Sequence, residues 1–340
     1  MSEPKPKDRG RGPHIPHLRR PPEPPPPQPR PLRVAAVDCG TNSLRLLIAD
    51  YADGRLAEVD RRMTIVRLGQ GVDSTGAFAP EALQRVFAAS DDFARVVRES
   101  GASRVRFVAT SAARDVSNRD EFFAGIRARF GVEPDIISGD EEATLSFQGA
   151  TGGLAEYEVP GPYLVADIGG GSTELVLGDA SGVLAADSLD MGSVRMTERH
   201  LASDPATIKE MAAATNDVDA LLASTSVPLS QARSLIGVAG TVTTVAAVAL
   251  GLTSYDPELI HHARIPGPLL LDTTSWLMGS TRAARSAVPV IHPGRVDVIG
   301  AGALILQRLH DRLADHLVTD EVLVSEHDIL DGVALSLSRN

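Results

Sequence analysis

The sequence contains one cysteine, Cys39, and beyond residue 31 only one lysine, Lys209. A single thiol excludes an internal disulfide, so the cysteine content does not call for an oxidising compartment. The phosphate-binding pattern GxxxxGK[ST] occurs nowhere, which argues against a P-loop nucleotide hydrolase. No group of Cys and His residues has the spacing of a zinc site.

Long hydrophobic runs are also missing. No stretch approaches the roughly 18 consecutive apolar residues of a membrane span, and no apolar run follows the basic N-terminus as a secretory signal requires. We therefore expect a cytoplasmic protein without membrane partners. The formal net charge of −11 argues against nucleic-acid binding, which needs a basic face. A few focused arginines can still make one cleft attractive to an anion.

Residues 1–31 differ from the rest in composition. They are dense in proline and carry seven Lys/Arg against three Asp/Glu, so the remaining chain has a net charge near −15. Such a segment cannot bury a core, and we predict a disordered extension. A tether for anionic or proline-binding partners is the functional alternative to a dispensable tail.

The remaining residues read as two cycles of strands and helices, as expected of two α/β domains. We place the first domain at 32–155 and the second at 156–340, with the final helix as a candidate to pack back on the first domain. The first cycle has three strands in 33–68, a helix over 80–100, a strand at 105–110, a helix over 118–130, a strand at 133–138 and a helix over 139–149. A glycine-rich linker follows at 149–161. The second cycle has three strands in 163–190, helices around 204–225, a strand at 234–240, a helix from 241, a long helix over 294–316, a strand at 321–325 and a short helix from 328.

The openings of the two cycles align without a gap. Each has an apolar strand, an Asp, a turn of small residues and a second apolar strand, which indicates an internal duplication. The matched pairs are Asp38 with Asp167, Gly40 with Gly169, Ser43 with Ser172, Leu46 with Leu175 and Asp50 with Asp179. Duplicated domains usually leave a cleft between them, where ligands bind.

The two turns have the composition of phosphate-binding loops. Glycine lets a phosphate approach the backbone closely, and successive N–H groups form an anion-binding nest. We predict that the phosphate is bound by Gly40, Thr41, Asn42, Ser43, Gly169, Gly170, Gly171, Ser172 and Thr173. Asp38 and Asp167 end the incoming strands, where a carboxylate can hold Mg²⁺ against phosphate oxygens. A plain hairpin turn is the alternative for either loop alone.

The alignment also places Arg45 on Glu174. One hairpin therefore offers a cation and the other a further carboxylate, so we predict that Arg45 binds phosphate and Glu174 binds metal. Two unrelated surface residues on strand ends remain the alternative.

Three further segments carry candidate residues. Gly240 and Thr241 lie where a strand enters a helix, and helix N-termini bind anions; the alternative is a packing turn with Thr241 as the helix cap. The acids of residues 138–143 begin a helix and can supply a general base, although acids there also complement the helix dipole. Arg114 follows a strand and can bind phosphate, or form a surface ion pair with Asp115 or Asp120.

Two residue pairs that contain histidine give weaker evidence for a metal site. His261–His262 has no partners at metal-ligand spacing. His327–Asp328 looks like the HD pair of metal phosphohydrolases, but it lacks the supporting histidines. We interpret Ser325 and Asp328 as a helix cap.

Six segments resemble one known family: DCGTNSLRLLI, ATSAARDVSNRDEF, ISGDEEATLSFQGA, VADIGGGSTELVLG, GVAGTVTT and RVDVIGAGALIL. In this order they are similar to the exopolyphosphatase and guanosine pentaphosphate phosphohydrolase family, from about Arg33 onward. The resemblance implies two ribonuclease-H-like α/β domains of the actin, Hsc70 and sugar kinase superfamily around a central cleft. It corresponds to the short, two-domain class, without the helical HD-type domain of longer members.

The resemblance also implies an activity and residue roles. Glu142 matches the catalytic base, Asp167 and Glu174 match the acids that position magnesium and water, and Arg114 matches a substrate-binding arginine. The expected reaction is hydrolysis of terminal phosphates of inorganic polyphosphate with Mg²⁺, or with Mn²⁺ as an alternative. Guanosine pentaphosphate, which would link the protein to the stringent response, is the alternative substrate. A non-catalytic polyphosphate or alarmone sensor is the alternative function. A homodimer is a further expectation.

Overall fold

A computed structural model describes residues 1–3, 31–114, 116–154 and 157–338. The predicted disordered extension and the boundary predicted at residue 155 lie largely or wholly outside the described residues. Among the described helices, none combines the length and the apolar character that crossing a bilayer requires.

The first half of the chain builds a five-stranded sheet. Its elements are β1 (Leu32–Cys39), β2 (Ser43–Ala52), β3 (Arg55–Ile65), α1 (Val72–Thr75), α2 (Pro80–Ser100), β4 (Arg104–Ala109), α3 (Arg119–Phe130), β5 (Asp135–Ile136) and α4 (Gly139–Thr151). A 3₁₀ turn, Ser111–Ala113, follows β4. The helix predicted over 80–100 is confirmed as α2, with Pro80 in its first turn and Gly101 ending it in the left-handed conformation.

The second half builds a six-stranded sheet. Its elements are β6 (Tyr163–Ile168), β7 (Thr173–Asp179), β8 (Gly182–Leu189), α5 (Ser193–His200), α6 (Ile208–Ser224), β9 (Ser234–Val238), α7 (Ala239–Ala249), α8 (Pro257–Ile260), β10 (Arg264–Pro266), α9 (Gly267–Gly279), α10 (Arg282–Ser286), α11 (Ile299–Leu313), β11 (Glu321–Val324) and α12 (Ile329–Ser336). Helices α1, α5, α8, α9 and α10 and strand β10 were not predicted from the sequence, and the long helix predicted from residue 294 begins five residues later, at Ile299.

The two sheets repeat one topology, so the predicted duplication is confirmed. The strand order is β3-β2-β1-β4-β5 in the first sheet and β8-β7-β6-β9-β11 in the second, with β10 added at the edge. The central strands β1 and β6 each pair antiparallel with the strand that follows and parallel with a later strand. Both are almost wholly buried, as strands covered on two faces must be.

The outer faces of the sheets are covered by the local helices. Helices α2 and α3 pack on the first sheet, and α5, α6, α7, α9 and α11 supply the core over the second. The inner face of each sheet is covered by a helix from the other half of the chain. Helix α12, from the end of the chain, covers Val34, Ala36 and Leu47 of the first sheet with Leu330 and Val333. Helix α4, which follows the first sheet, covers the second sheet through Ala143, Phe147 and Ala150.

Helices α4 and α12 also touch each other through glycine. A side chain at Gly149 would lie 1.8 Å from the carbonyl oxygen of Asp328, and one at Gly332 would lie 2.0 Å from that of Leu145. The linker predicted from residue 149 is therefore wrong at its start. Gly149 is a helix residue, and it is small because two backbones meet there.

Candidate active site

A cleft that is partly open to solvent lies between the ends of the two central strand pairs. Most of the predicted site residues line it: Asp38, Gly40, Thr41, Asn42, Ser43, Arg45, Glu142, Asp167, Gly169, Gly170, Ser172, Gly240 and Thr241. Arg114, Gly171, Thr173 and Glu174 are not among the residues that line it. The sequence had no direct signal for Thr110, Ser111, Ser193 or Arg295, which also line the cleft.

The two hairpin turns have the same internal geometry. Gly40 donates its N–H to the carbonyl oxygen of Ser43 at 3.0 Å, and Gly169 donates to that of Ser172 at 3.1 Å. The strand register places Asp38 opposite Arg45 and Asp167 opposite Glu174. The positions that the sequence alignment matched, Asp38 with Asp167 and Arg45 with Glu174, therefore occupy equivalent places in the two hairpins.

The turns meet each other at Thr41. A side chain at Gly171 would lie 2.7 Å from the hydroxyls of both Thr41 and Ser111, and these two hydroxyls are 3.0 Å apart. Gly171 thus lets the two loops approach rather than lining the cleft. The hydroxyl of Thr173 donates to the carbonyl oxygen of Met191 at 2.6 Å, so its side chain connects the start of β7 to the segment that follows β8.

Glu142 is a buried acid in the first turn of α4. Ser138 caps this helix by accepting from the N–H of Glu141 at 3.1 Å. Glu142 is only 7% exposed. Loss of solvation, reinforced by the nearby Glu174, raises the pKa of Glu142 well above its usual range. An acid kept solely to complement a helix dipole has no need of this burial.

Arg114 has a partner that the sequence did not indicate. Its guanidinium forms an ion pair with Glu142 and donates through Nε to the carbonyl oxygen of Ile137 at 3.2 Å. The pair opposes the burial-driven rise in the pKa of Glu142. Arg114 therefore holds the candidate base, whereas the sequence left a phosphate or a surface acid as its partner.

Asp167 and Glu174 are a second pair of buried acids. Burial first and the charge of Glu174 second raise the pKa of Asp167 to about 8, and burial also raises the pKa of Glu174. Ser146 donates to Asp167 Oδ2 at 2.6 Å, and Ser188 donates to Glu174 Oε1 at 2.8 Å. Crowded carboxylates of this kind favour the binding of a cation between them.

Arg45 is held between two buried acids. Its Nε and Nη2 donate to Asp38 Oδ2 at 3.0 and 2.6 Å, and its Nη1 pairs with Asp328. Arg45 lines the cleft, but its charge is already compensated, so a role as phosphate clamp stays a prediction. Asp38 is 2% exposed, and its Oδ1 has no hydrogen-bond partner in the described chain.

Asp328 is the predicted cap of the last helix. Its Oδ1 accepts from the N–H of Leu330 at 3.0 Å, and Asp331 returns the bond in a capping box. The interpretation as a cap is confirmed for Asp328 but is wrong for Ser325, whose hydroxyl bonds the backbone of His327 instead. The ion pair with Arg45 was missed, because it joins residues from opposite ends of the chain.

The junction of β9 and α7, which carries Gly240 and Thr241, packs around Arg295. A side chain at Gly240 would lie 2.1 Å from the Arg295 guanidinium, and the preceding Ala239 adopts a left-handed φ of 67°. Arg295 donates to Thr244 Oγ1 at 3.1 Å and forms no ion pair with an acid of the described residues. The helix begins after Val238, so the alternative that Thr241 caps it is wrong. The start of the RVDVIGAG segment was the only signal for Arg295.

The predicted metal ligands do not form a closed cage. Within the described ranges, no three His, Cys, Asp or Glu side chains are grouped closely enough to enclose a metal ion. Asp38, Asp167 and Glu174 therefore do not act as a complete ligand set in this geometry. Mg²⁺ is commonly held by one or two carboxylates, such as the Asp167 and Glu174 pair can offer, with water and phosphate oxygens completing its coordination.

A two-lobed α/β fold whose duplicated glycine-rich hairpins face a buried carboxylate defines a class of phosphate-processing enzyme. The model of the Ppx/GppA phosphatase family matches residues 47–337, and the chain belongs to this family. It is a hydrolase whose two α/β halves repeat one sheet topology, as the sequence predicted.

Individual relatives are similar over nearly their whole length. Exopolyphosphatase 2 of Mycobacterium tuberculosis is 51% identical over 317 residues, which cover 90% of this chain and 98% of that protein. The crystal structure of an exopolyphosphatase-like protein has a TM-score of 0.87 and 42% identity, over 91% of this chain and 98% of that one. The Aquifex aeolicus PPX-GPPA enzyme has a TM-score of 0.75 and 27% identity, over 90% and 99%.

Proposed function

We propose that this chain is an exopolyphosphatase that hydrolyses terminal phosphates from inorganic polyphosphate. The observation that carries the proposal is the buried Glu142 at a cleft whose walls are two glycine-rich hairpins. The near full-length similarity to a protein named Exopolyphosphatase 2 supports the choice of substrate.

The cleft offers groups for a phosphoanhydride chain. Backbone N–H groups of residues 40–43 and 169–172 can cradle terminal phosphate oxygens. Arg295, which has no acid partner among the described residues, can add a cation from the opposite wall. Phosphoryl transfer depends mostly on such positioning and charge stabilisation, because the protein makes few covalent demands on it.

Glu142 is the proposed general base. It would orient an attacking water and accept its proton, while Arg114 keeps the carboxyl aimed into the cleft. The raised pKa of Glu142 makes its ionised form a stronger base than an exposed glutamate. Ionisation of Glu142 also requires that the surrounding negative charge be offset.

The residues present fit Mg²⁺, with Mn²⁺ as the alternative. Asp167 and Glu174 would hold the ion, and the unpartnered Oδ1 of Asp38 is placed to accept from a water at the cleft floor. When bound, Mg²⁺ would neutralise negative charge on the phosphate oxygens. It would also favour the ionised forms of Asp38, Asp167 and Glu174.

The test of the base is Glu142→Gln, with Glu141→Gln as the matched control. Glu141 is its neighbour on α4 but pairs with Arg106 at the surface, at 2.6 Å. We expect phosphate release from polyphosphate to fall by about 10²–10⁴-fold in Glu142→Gln and to change little in the control. A loss below about tenfold would remove Glu142 from the role of base.

The substrate is tested by assaying polyphosphate and guanosine pentaphosphate in parallel, with Mg²⁺ and then with a chelator. Faster release from the nucleotide would favour the alternative substrate. Binding of either compound without turnover would favour a sensor. A cytoplasmic location, a homodimer and the lack of nucleic-acid partners stay predictions from the sequence.

A further inference from the structure

Ser146 lies on α4, one helical turn after Glu142. Its side chain is fully buried, and its hydroxyl donates to Asp167 Oδ2 at 2.6 Å. In the part of the chain that the structure describes, this is the one hydrogen bond made to the Asp167 carboxylate. Asp167 ends β6, in the strand pair that carries the proposed metal ligands.

Ser146 shares α4 with the candidate base Glu142 and contacts the candidate metal ligand Asp167. Residues four apart lie on the same face of a helix, so Glu142 and Ser146 both face the cleft end of the second sheet. The intervening Ala143 and the following Phe147 pack on that sheet. Helix α4 is therefore packed against strand β6, and the hydroxyl of Ser146 fixes the rotation of the Asp167 carboxylate.

Burial alone does not explain a serine at this position. Ser90 on α2 is equally buried, and its hydroxyl has no hydrogen-bond partner, so a buried serine in this protein need not contact a functional group. Ser146 instead makes a short bond to an acid, and bonds between a hydroxyl and a carboxylate are among the stronger ones in proteins. With Oδ2 held, Oδ1 of Asp167 is the oxygen left for a cation.

We propose that Ser146 is a positioning residue that orients Asp167 to bind the divalent cation. The inference rests on the proposed function only in assigning Asp167 to the metal. Ser146 acts through Asp167 and does not itself contact the substrate. Donors behind a metal-binding carboxylate typically change metal affinity or activity by 10–100-fold when removed.

The experiment measures Mg²⁺ and Mn²⁺ binding by isothermal titration calorimetry, without substrate, on the full-length protein. The variants are Ser146→Ala, Ser146→Thr, which keeps the hydroxyl, and Ser90→Ala, which removes a buried hydroxyl that makes no bond. We expect Ser146→Ala to bind the cation about 10–100-fold more weakly than wild type. Ser146→Thr should recover part of the loss, and Ser90→Ala should bind as wild type does. Circular dichroism checks that each variant is folded.

Three results would overturn the inference: Ser146→Ala binding within about threefold of wild type, Ser90→Ala weakening binding as much as Ser146→Ala, or a folded Ser146→Thr binding as weakly as Ser146→Ala. A wild-type protein that binds neither cation would overturn it together with the proposed metal site. Intact cation binding that Ser146→Ala weakens, in a protein that does not hydrolyse polyphosphate, would support the inference and reject the proposed function.

Discussion

Replacing Arg45 by alanine would leave Asp38 and Asp328 buried and facing each other without a cation. Their side chains are 3% and 4% exposed, so water cannot take over the role of the guanidinium. Removing one partner from a buried ion pair typically costs about 3–5 kcal/mol, because the remaining charge is uncompensated. At about 2 °C per kcal/mol for a large domain, we expect the melting temperature to fall by about 6–10 °C.

The pH dependence of this loss follows from the acids left behind. Burial already raises the pKa of Asp38 above its usual value in the wild type, although Arg45 opposes the rise. Without Arg45 the pKa rises further, and an acid whose folded pKa is raised destabilises the fold increasingly as pH increases. The difference between variant and wild type should therefore be larger at pH 8 than at pH 5.

The assay is thermal unfolding followed by circular dichroism at both pH values. Arg62→Ala is the matched control, because Arg62 pairs with Asp60 at the surface, where such pairs contribute about 0–1 kcal/mol. A loss in Arg45→Ala no larger than that in Arg62→Ala, or one that grows as pH falls, would refute the argument that Arg45 neutralises two buried charges.

Two other predictions concern the packing of α4 on α12 and the ion pair between Asp73 and Arg195, next to Gly171. Gly149→Ala should lower the free energy of unfolding by at least about 1–3 kcal/mol in urea titrations, since the new methyl group would overlap the α12 backbone; Gly279→Ala, where nothing lies within 4 Å, is the control, and equal losses would contradict the close crossing. Asp73→Asn should raise the KM for polyphosphate more than it lowers kcat, because Asp73 accepts from Arg195 at 2.6 Å while Arg195 also donates to the carbonyl oxygen of Gly171 at 2.7 Å. This effect should shrink in 1 M salt, which screens partly exposed pairs, and a salt-independent effect would indicate another cause.

Much of the cleft could be predicted from the sequence, because its two walls are local hairpins. Strand residues alternate between faces with a period of two, so an alignment without gaps preserves every cross-strand pair. That is why Asp38 matches Asp167 and Arg45 matches Glu174 in the two hairpins, although the pairing of each acid with its neighbour on the opposite strand was not predicted. Glu142 needed the family resemblance, since an acid at a helix start already has a local explanation in the helix dipole.

The rest depends on contacts between distant parts of the chain. Arg45 and Asp328 are separated by 283 positions, and no local pattern encodes the pair. Gly149 resembles a linker glycine until α12 is seen against it. Arg295 becomes a site residue only because Gly240 leaves room for its guanidinium.

The exchange of α4 and α12 between the sheets has a consequence for the order in which the protein can fold. The inner face of the first sheet, including Val34, Ala36 and Leu47, is covered by residues of α12. A ribosome completes the strands of that sheet long before it synthesises residues 329–336. Until then the nascent chain exposes an apolar sheet face, which is a surface that chaperones recognise and that aggregates readily. The hydrolytic cleft is thus assembled last, when α12 closes over the sheet and delivers Asp328 to Arg45.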